Sequence, residues 1–167
     1  MTAGDTISNL LVEIKQKVGA AMDTSLDVQS RGALDADFKA TLRQITQVIA
    51  NAQFDGANML NGVVGANIQF LANADATSKI TLSTQNMSLG GAIITIAATA
   101  SITTVTLATN AFTAVTNSLD LVNQALGNMG SQAKQVESHL NFVSKLTDVL
   151  ETGVGNLVDA DLARESA

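Results

Sequence analysis

Residues 109–152 read TNAFTAVTNSLDLVNQALGNMGSQAKQVESHLNFVSKLTDVLET, and their periodicity decides the fold class. With Phe112 at heptad position a, the a positions are Phe112, Leu119, Leu126, Ala133, Leu140 and Thr147. The d positions are Val115, Val122, Met129, Val136, Val143 and Leu150. Thr147 alone breaks this apolar seam. A 3.5-residue repeat held over five heptads predicts a left-handed, coiled-coil-like packing. At 1.5 Å per residue the helix would run about 66 Å. A second apolar stripe, Ala114, Leu121, Ala125, Phe142, Leu146 and Val149, lies roughly 110° around from the first at 100° per residue. Two faces need two sets of partners. Leu121, Ala125, Phe142, Leu146 and Val149 are therefore the candidate assembly face, unless a helix outside this sequence covers them.

The remaining helices are shorter. Ile7, Leu11, Ile14, Val18 and Ala21 step by four and three, which is one face of a helix. Asp23, Thr24, Ser25, Asp27, Ser30 and Gly32 read as a polar loop. Phe38, Leu42, Ile45, Ile49 and Ala52 then repeat the helical step. Asp55-Gly56 and Asn61-Gly62 are turn dipeptides, because Gly and Asn tolerate positive φ. Residues 67–71 and 79–83 are β-prone and flank the turn-rich Asn73, Asp75 and Thr77, which predicts a small hairpin. Ser88-Leu89-Gly90-Gly91 reads as another turn. Residues 93–107 are uncharged and β-branched, either a further hairpin or the ragged start of the long helix, and an aggregation hazard if exposed. Gly153 and Gly155 are expected to interrupt the long helix, with a short helix restarting at Asn156. The predicted architecture is mainly α: long antiparallel helices packed as a coiled-coil-like rod, with a small β-hairpin region in the middle. The divisions are 1–62 for the first helices, 63–108 for the hairpin and variable region, and 109–167 for the long and terminal helices.

Composition narrows the function. The chain has 167 residues, 46% hydrophobic and 14% charged, with mean hydropathy +0.24, which argues against charge-driven disorder. No apolar run approaches the roughly 20 residues a membrane-spanning helix needs. A net charge of -6 disfavours nucleic acid. The absence of Cys removes thiolate chemistry, and one His removes any multi-histidine metal site. His139 reads as solvated. Asp159 and Asp161 point different ways and read as favouring a helix N-terminus. Asp23 and Asp27 lack EF-hand spacing. Gly90-Gly91 precedes no Lys-Ser/Thr pair, so it is not a phosphate loop. Lys15, Lys17, Lys39 and Arg43 read as a solvated helix face. No nucleophile, base and orienting group come together, so the chain reads as non-enzymatic, with no cofactor and no metal.

Three stretches carry a family resemblance. ISNLLVEIKQKV (7–18), TLRQITQVIANAQFDGANMLNG (41–62) and GNLVDADLARESA (155–167) resemble bacterial flagellin, in wording closest to short alphaproteobacterial members. Each motif alone is weak; all three in order are specific. The resemblance covers most of the chain outside about 85–108. It implies a helical rod domain lacking the terminal segments that form the inner tube of the filament, and lacking most of the first long helix. Met1 stands at the edge of a helix, which fits a trimmed piece of a longer chain.

The resemblance also implies a function and partners. The function is a structural subunit of the flagellar filament, used in motility, with other flagellin subunits and an export chaperone as partners. It implies an extracellular location reached without a cleaved signal peptide, no nucleic acid and no membrane insertion. The fragment itself is expected to be monomeric. The competing reading is a coiled-coil tip or needle component of a type III secretion apparatus, which would lack QFDGANMLNG and VDADLARES. Residues 11–18, with Leu11, Glu13, Lys15 and Gln16, correspond to the stretch animal innate receptors recognise in enteric flagellins. There the pattern is basic at the positions of Glu13 and Lys15 and acidic at Gln16. Glu13 reverses one charge and Gln16 removes another, which implies weak recognition.

Overall fold

The structure is a computed structural model that describes residues 2–54, 57–62, 67–73 and 77–165. It is mainly helical, with α1 over Thr2–Ala21, α2 over Val28–Asn51 and α3 over Val105–Glu165. Among the described residues, four short strands lie between α2 and α3: β1 Gln53–Phe54, β2 Ala57–Asn58, β3 Ile68–Leu71 and β4 Lys79–Leu82. The chain forms two compact units. The first holds residues 1–70 and 81–130, the second 71–80 and 131–167.

In the first unit, α1 buries Ile7, Leu11, Ile14, Val18 and Ala21 completely, as their spacing predicts. The turn into α2 is closed by side chains. Asp23 Oδ1 accepts the Ser25 N–H at 2.8 Å, and Asp27 caps α2 by accepting the Ser30 N–H at 2.8 Å. Ser30 and Gly32, expected in the loop, lie inside α2 because the cap sits at Asp27. Arg31 reaches back from α2 and donates from Nε to the Ala21 carbonyl at 3.1 Å and from Nη2 to the Asp23 carbonyl at 2.7 Å. The last carbonyls of α1 lack intrahelical partners, and a cation suits that end of the dipole. Phe38, Leu42, Ile45 and Ile49 complete the α2 side of the core.

Within the first unit, α3 runs antiparallel to α1. Ser8 Oγ pairs with Asn123 Oδ1 at 3.4 Å, and Lys15 Nζ lies 5.4 Å from the Phe112 ring centroid. The two glycines Gly4 and Gly19 of α1 face Leu126 and Phe112, so large α3 side chains fit where α1 has no Cβ. The buried line on α3 is Ala108, Ala111, Val115, Ser118, Val122 and Ala125, not the full a/d seam. Small residues at 111, 118 and 125 lie at the centre of the contact, while Phe112, Leu119 and Leu126 pack partly buried beside it. Val136 is half-buried and Leu140 is 62% exposed, so the seam read from the heptad positions is not covered as far as Leu140. Helices α1 and α2 are only 20 and 24 residues long, and the buried line stops at Ala125 within the first unit.

Of residues 93–107, Val105, Thr106 and Leu107 open α3, while 83–104 form an irregular strap, not a hairpin, whose Met87, Ile94, Ile96 and Ile102 are buried. The strap is pinned at several points. Met87 N–H donates to the Leu60 carbonyl at 2.9 Å, and Thr95 N–H donates to Ser118 Oγ at 3.0 Å. Ile94, Ile96 and Ile102 are thereby held in the core. Gly90 (φ 74°) and Gly62 (φ 65°) occupy the turns assigned to them. β1 and β2 pair antiparallel, Gln53 opposite Asn58. β3 and β4 pair as the expected hairpin, and past the strand ends Asn73 Oδ1 accepts the Ser78 N–H at 3.0 Å. Asp55-Gly56 and Asp75 lie outside the described residues.

The second unit contains the C-terminal stretch of α3. The helix continues through Gly153 and Gly155 to Glu165, correcting the expected break and restart at Asn156. Each mid-helix glycine costs only about 1 kcal/mol, and propagation from an established helix is favourable on both sides.

Candidate assembly surface

The described residues contain no group of three or more His, Cys, Asp or Glu able to hold a metal. No helix among them is long and apolar enough to cross a membrane. The two loop aspartates are spent on local structure. The Ser25 N–H and hydroxyl hold the Asp23 carboxyl below the usual range, and Ser30 does the same for Asp27. Asp159 and Asp161 sit inside α3 rather than at a helix start. His139 is half-buried, its ring centroid 6.2 Å from that of Phe142.

The five residues of the expected assembly face divide between the two units. In the first unit Ala125 is 4% exposed and belongs to the core, and Leu121 is half-buried. In the second unit Phe142, Leu146 and Val149 are exposed. Leu140, Val143, Leu150, Val154, Leu157 and Val158 are exposed as well. At 100° per residue, these nine side chains cover one continuous half of the helix surface. Lys134, Glu137, Lys145, Asp148 and Glu151 fall on the other half. The two stripes read from the sequence thus merge into one apolar face. Monomeric folds rarely leave a continuous apolar patch of this extent uncovered.

The α1 residues expected to meet a receptor are held differently from one another. Leu11 is fully buried. Glu13 is exposed and pairs with Lys17 Nζ at 3.2 Å, and Lys17 also reaches Asp37 at 3.6 Å. Lys15 is half-buried over Phe112, and Gln16 is exposed. Lys15 and Lys17 therefore bridge helices, and Lys39 pairs with Asp35 within α2, so none of the three is merely solvated.

The sequence reading missed one polar cluster. Asp35 is 6% exposed. Its Oδ2 accepts Lys39 Nζ at 2.7 Å. Its Oδ1 accepts Ser101 Oγ at 2.8 Å and the Ile102 N–H at 2.7 Å. Burial pushes its pKa upward, but the bonds from Lys39, Ile102 and Ser101 together outweigh that and hold it below the usual value. The i,i+4 spacing of Asp35 and Lys39 was the available signal; its partner in the strap had none.

Fold and surface together define a mainly helical protein whose longest helix carries an exposed apolar face. The profile of the bacterial flagellin N-terminal helical region matches residues 1–64. "Flagellin FljJ" of Caulobacter vibrioides is 54% identical over 165 residues, which is 99% of this chain and 60% of that protein. "Flagellin FljM" of the same organism is 42% identical, covering 100% and 60%, and a Brucella melitensis flagellin is 31% identical, covering 93% and 57%. A crystal structure of Bacillus cereus flagellin shares the fold, with TM-score 0.72 at 18% identity over 84% of this chain and 79% of that one. The chain belongs to the bacterial flagellin family. It spans about 60% of the length of the curated relatives it matches.

Proposed function

We propose that the chain is a structural subunit of the extracellular flagellar filament and serves motility by packing, without catalysis. The observation that carries this reading is the apolar half of α3 between Leu140 and Val158, exposed in the second unit, on a chain whose relatives are named flagellins. Burying a Leu or Phe side chain gains roughly 1.5–3 kcal/mol, so such a face favours a packed assembly. The names of the relatives favour this reading over a secretion-apparatus tip or needle. Before assembly the same face needs a cover, and an export chaperone fits that role. Export proceeds without cleavage of a leader. Other flagellin subunits are the partners in the filament, and the isolated chain is a monomer or small oligomer.

Immunogold electron microscopy with antibodies to this chain tests the reading. Label along extracellular filaments is expected. Label confined to needle-like surface structures would transfer the chain to the secretion reading.

The Glu13 and Gln16 positions make the chain a poor ligand for the animal flagellin receptor. Losing a charge-assisted pair at a buried interface costs roughly 2–5 kcal/mol. A binding assay should find no nanomolar affinity for the unmodified chain and a gain for the Glu13→Arg, Gln16→Glu double variant. Nanomolar binding by the unmodified chain would refute it.

A further inference from the structure

Of all the asparagines in the chain, only Asn61 is followed by glycine. Asn61 and Gly62 lie just past β2, in neither helix nor strand, and both are half-buried. They belong to the first unit, as does the strap beside them. Three successive carbonyls point at that strap. The Met59 carbonyl accepts the Gln85 N–H at 2.8 Å, and the Leu60 carbonyl accepts the Met87 N–H at 2.9 Å. The main-chain carbonyl of Asn61 accepts the Ser88 hydroxyl at 3.3 Å. The nitrogen of that same peptide group belongs to Gly62, and its N–H donates to no described residue. Gly62 carries no side chain to shield this nitrogen, and the Asn86 side chain occupies the place a Cβ would take.

We propose that Asn61 is a self-modification site, at which the Gly62 peptide nitrogen attacks the Asn61 side-chain amide and the Ser88 hydroxyl assists. Water is the only co-reactant. The Gly62 N–H gives its proton to hydroxide. Its nitrogen then bonds to Asn61 Cγ, the Cγ–Nδ2 bond breaks, and Nδ2 takes a proton from water and leaves as ammonia. The cyclic imide adds one water and opens at either carbonyl. Opening at Cγ gives aspartate; opening at the main-chain carbonyl gives isoaspartate. One water is consumed and one ammonia released, with no change of oxidation state.

The geometry favours the deprotonated peptide. Its negative charge spreads onto the Asn61 carbonyl oxygen, where the Ser88 hydroxyl already donates. A hydrogen bond to a charged acceptor is roughly twice as strong as a neutral one, so this bond strengthens as the proton leaves. An N–H without a partner gives up no bond in the process. Asn117-Ser118 is the contrasting case. It lies inside α3, where the helical ladder holds each peptide nitrogen in place. The isoaspartate product routes the main chain through Cβ and Cγ, so the backbone between Leu60 and Gly62 lengthens by one atom. It also sets a carboxylate where Ser88 met a carbonyl. Both changes disturb the register that pins Met87 and Ser88, so the start of the strap loosens as the chain ages.

Peptide mass spectrometry of chain aged in mildly alkaline buffer tests the proposal, reading the exchange of ammonia for water at each asparagine. Aspartate and isoaspartate should accumulate at Asn61 while Asn117 stays intact. Ser88→Ala should slow conversion by roughly two- to tenfold, the worth of one hydrogen bond, and Ser88→Thr, which keeps the hydroxyl, should restore most of the rate. In concentrated urea the parent chain and Ser88→Ala should convert at the same rate, because the contact exists only in the fold. Converted chain, separated by its added negative charge, should exchange the Met87 amide hydrogen faster than unconverted chain. An Asn61 that stays intact in the folded chain while the urea-unfolded chain converts would overturn the proposal. So would an unchanged or faster rate in folded Ser88→Ala, or an equal effect of that variant in urea. Unaltered Met87 exchange after conversion would overturn the loosening of the strap.

Discussion

Asp35 accepts the backbone N–H of Ile102 at 2.7 Å, across 67 residues of chain. The bond ties the strap to α2 at the point where Ile102 enters the core. Removing the carboxylate orphans a buried N–H and frees Lys39. Asp35→Ala should therefore cost about 1–3 kcal/mol, measured by urea unfolding at neutral pH. A loss below 0.3 kcal/mol would show that the strap does not depend on this bond.

The same residue sets a pH dependence. Its folded pKa lies below the ordinary 3.8. The stability it contributes is fully present above the unfolded value and is lost as pH falls through the folded one. The difference in melting temperature between the parent chain and Asp35→Asn should stay constant from pH 7 to 5. It should narrow below pH 3.8, where the parent carboxyl protonates. A gap that widens on acidification would contradict the assignment.

Buried and exposed leucines should respond oppositely. Leu11 is 0% exposed and Leu140 is 62% exposed. Leu11→Ala should cost ~2–5 kcal/mol, and Leu140→Ala at most ~0.5 kcal/mol, in the isolated chain. Equal losses in thermal melts would mean that Leu140 is covered in solution.

Glycines separate by backbone angle. Gly62 has φ 65°, and a Cβ there would collide with the Asn86 side chain. Gly62→Ala should cost about 1–2 kcal/mol or more from the left-handed angle alone. Gly32 lies within α2 with open space around it. Gly32→Ala should stabilise by up to about 1 kcal/mol. Chemical denaturation of both variants checks the pair.

Gly153 and Gly155 lie within α3. A double Gly→Ala change should raise helical circular dichroism without altering the core transition. Gly155→Pro should reduce helicity on the C-terminal side, at a cost of about 3 kcal/mol. No change with proline would show that this stretch is not helical in solution.

The helices and the hairpin were legible because their signals are local. The 4,3,4,3 steps of Ile7 to Ala21 and the Asn61-Gly62 turn depend on nearby residues alone. The rotation of the α3 seam was not legible, because it depends on Gly4 and Gly19 lying opposite Leu126 and Phe112. That pairing is tertiary, and a heptad count treats Ala111 and Ser118 as unremarkable. The strap was ambiguous for the same reason. Its Thr95 to Ser118 and Ile102 to Asp35 bonds join segments whose sequences carry no mutual mark. At the surface, periodicity located Phe142, Leu146 and Val149 but misplaced Ala125, since spacing reports a face and not what covers it.

The Arg31 clamp has a kinetic consequence. Its bonds to Ala21 and Asp23 span 10 and 8 residues, whereas Ser8 meets Asn123 across 115. Short loops close at little entropic cost and long ones at more, and local contacts speed folding. The α1–α2 pair should thus form the nucleus, with the opening of α3 docking onto it late. Under that order, changes at Arg31 slow refolding, while changes at Val122 chiefly hasten unfolding.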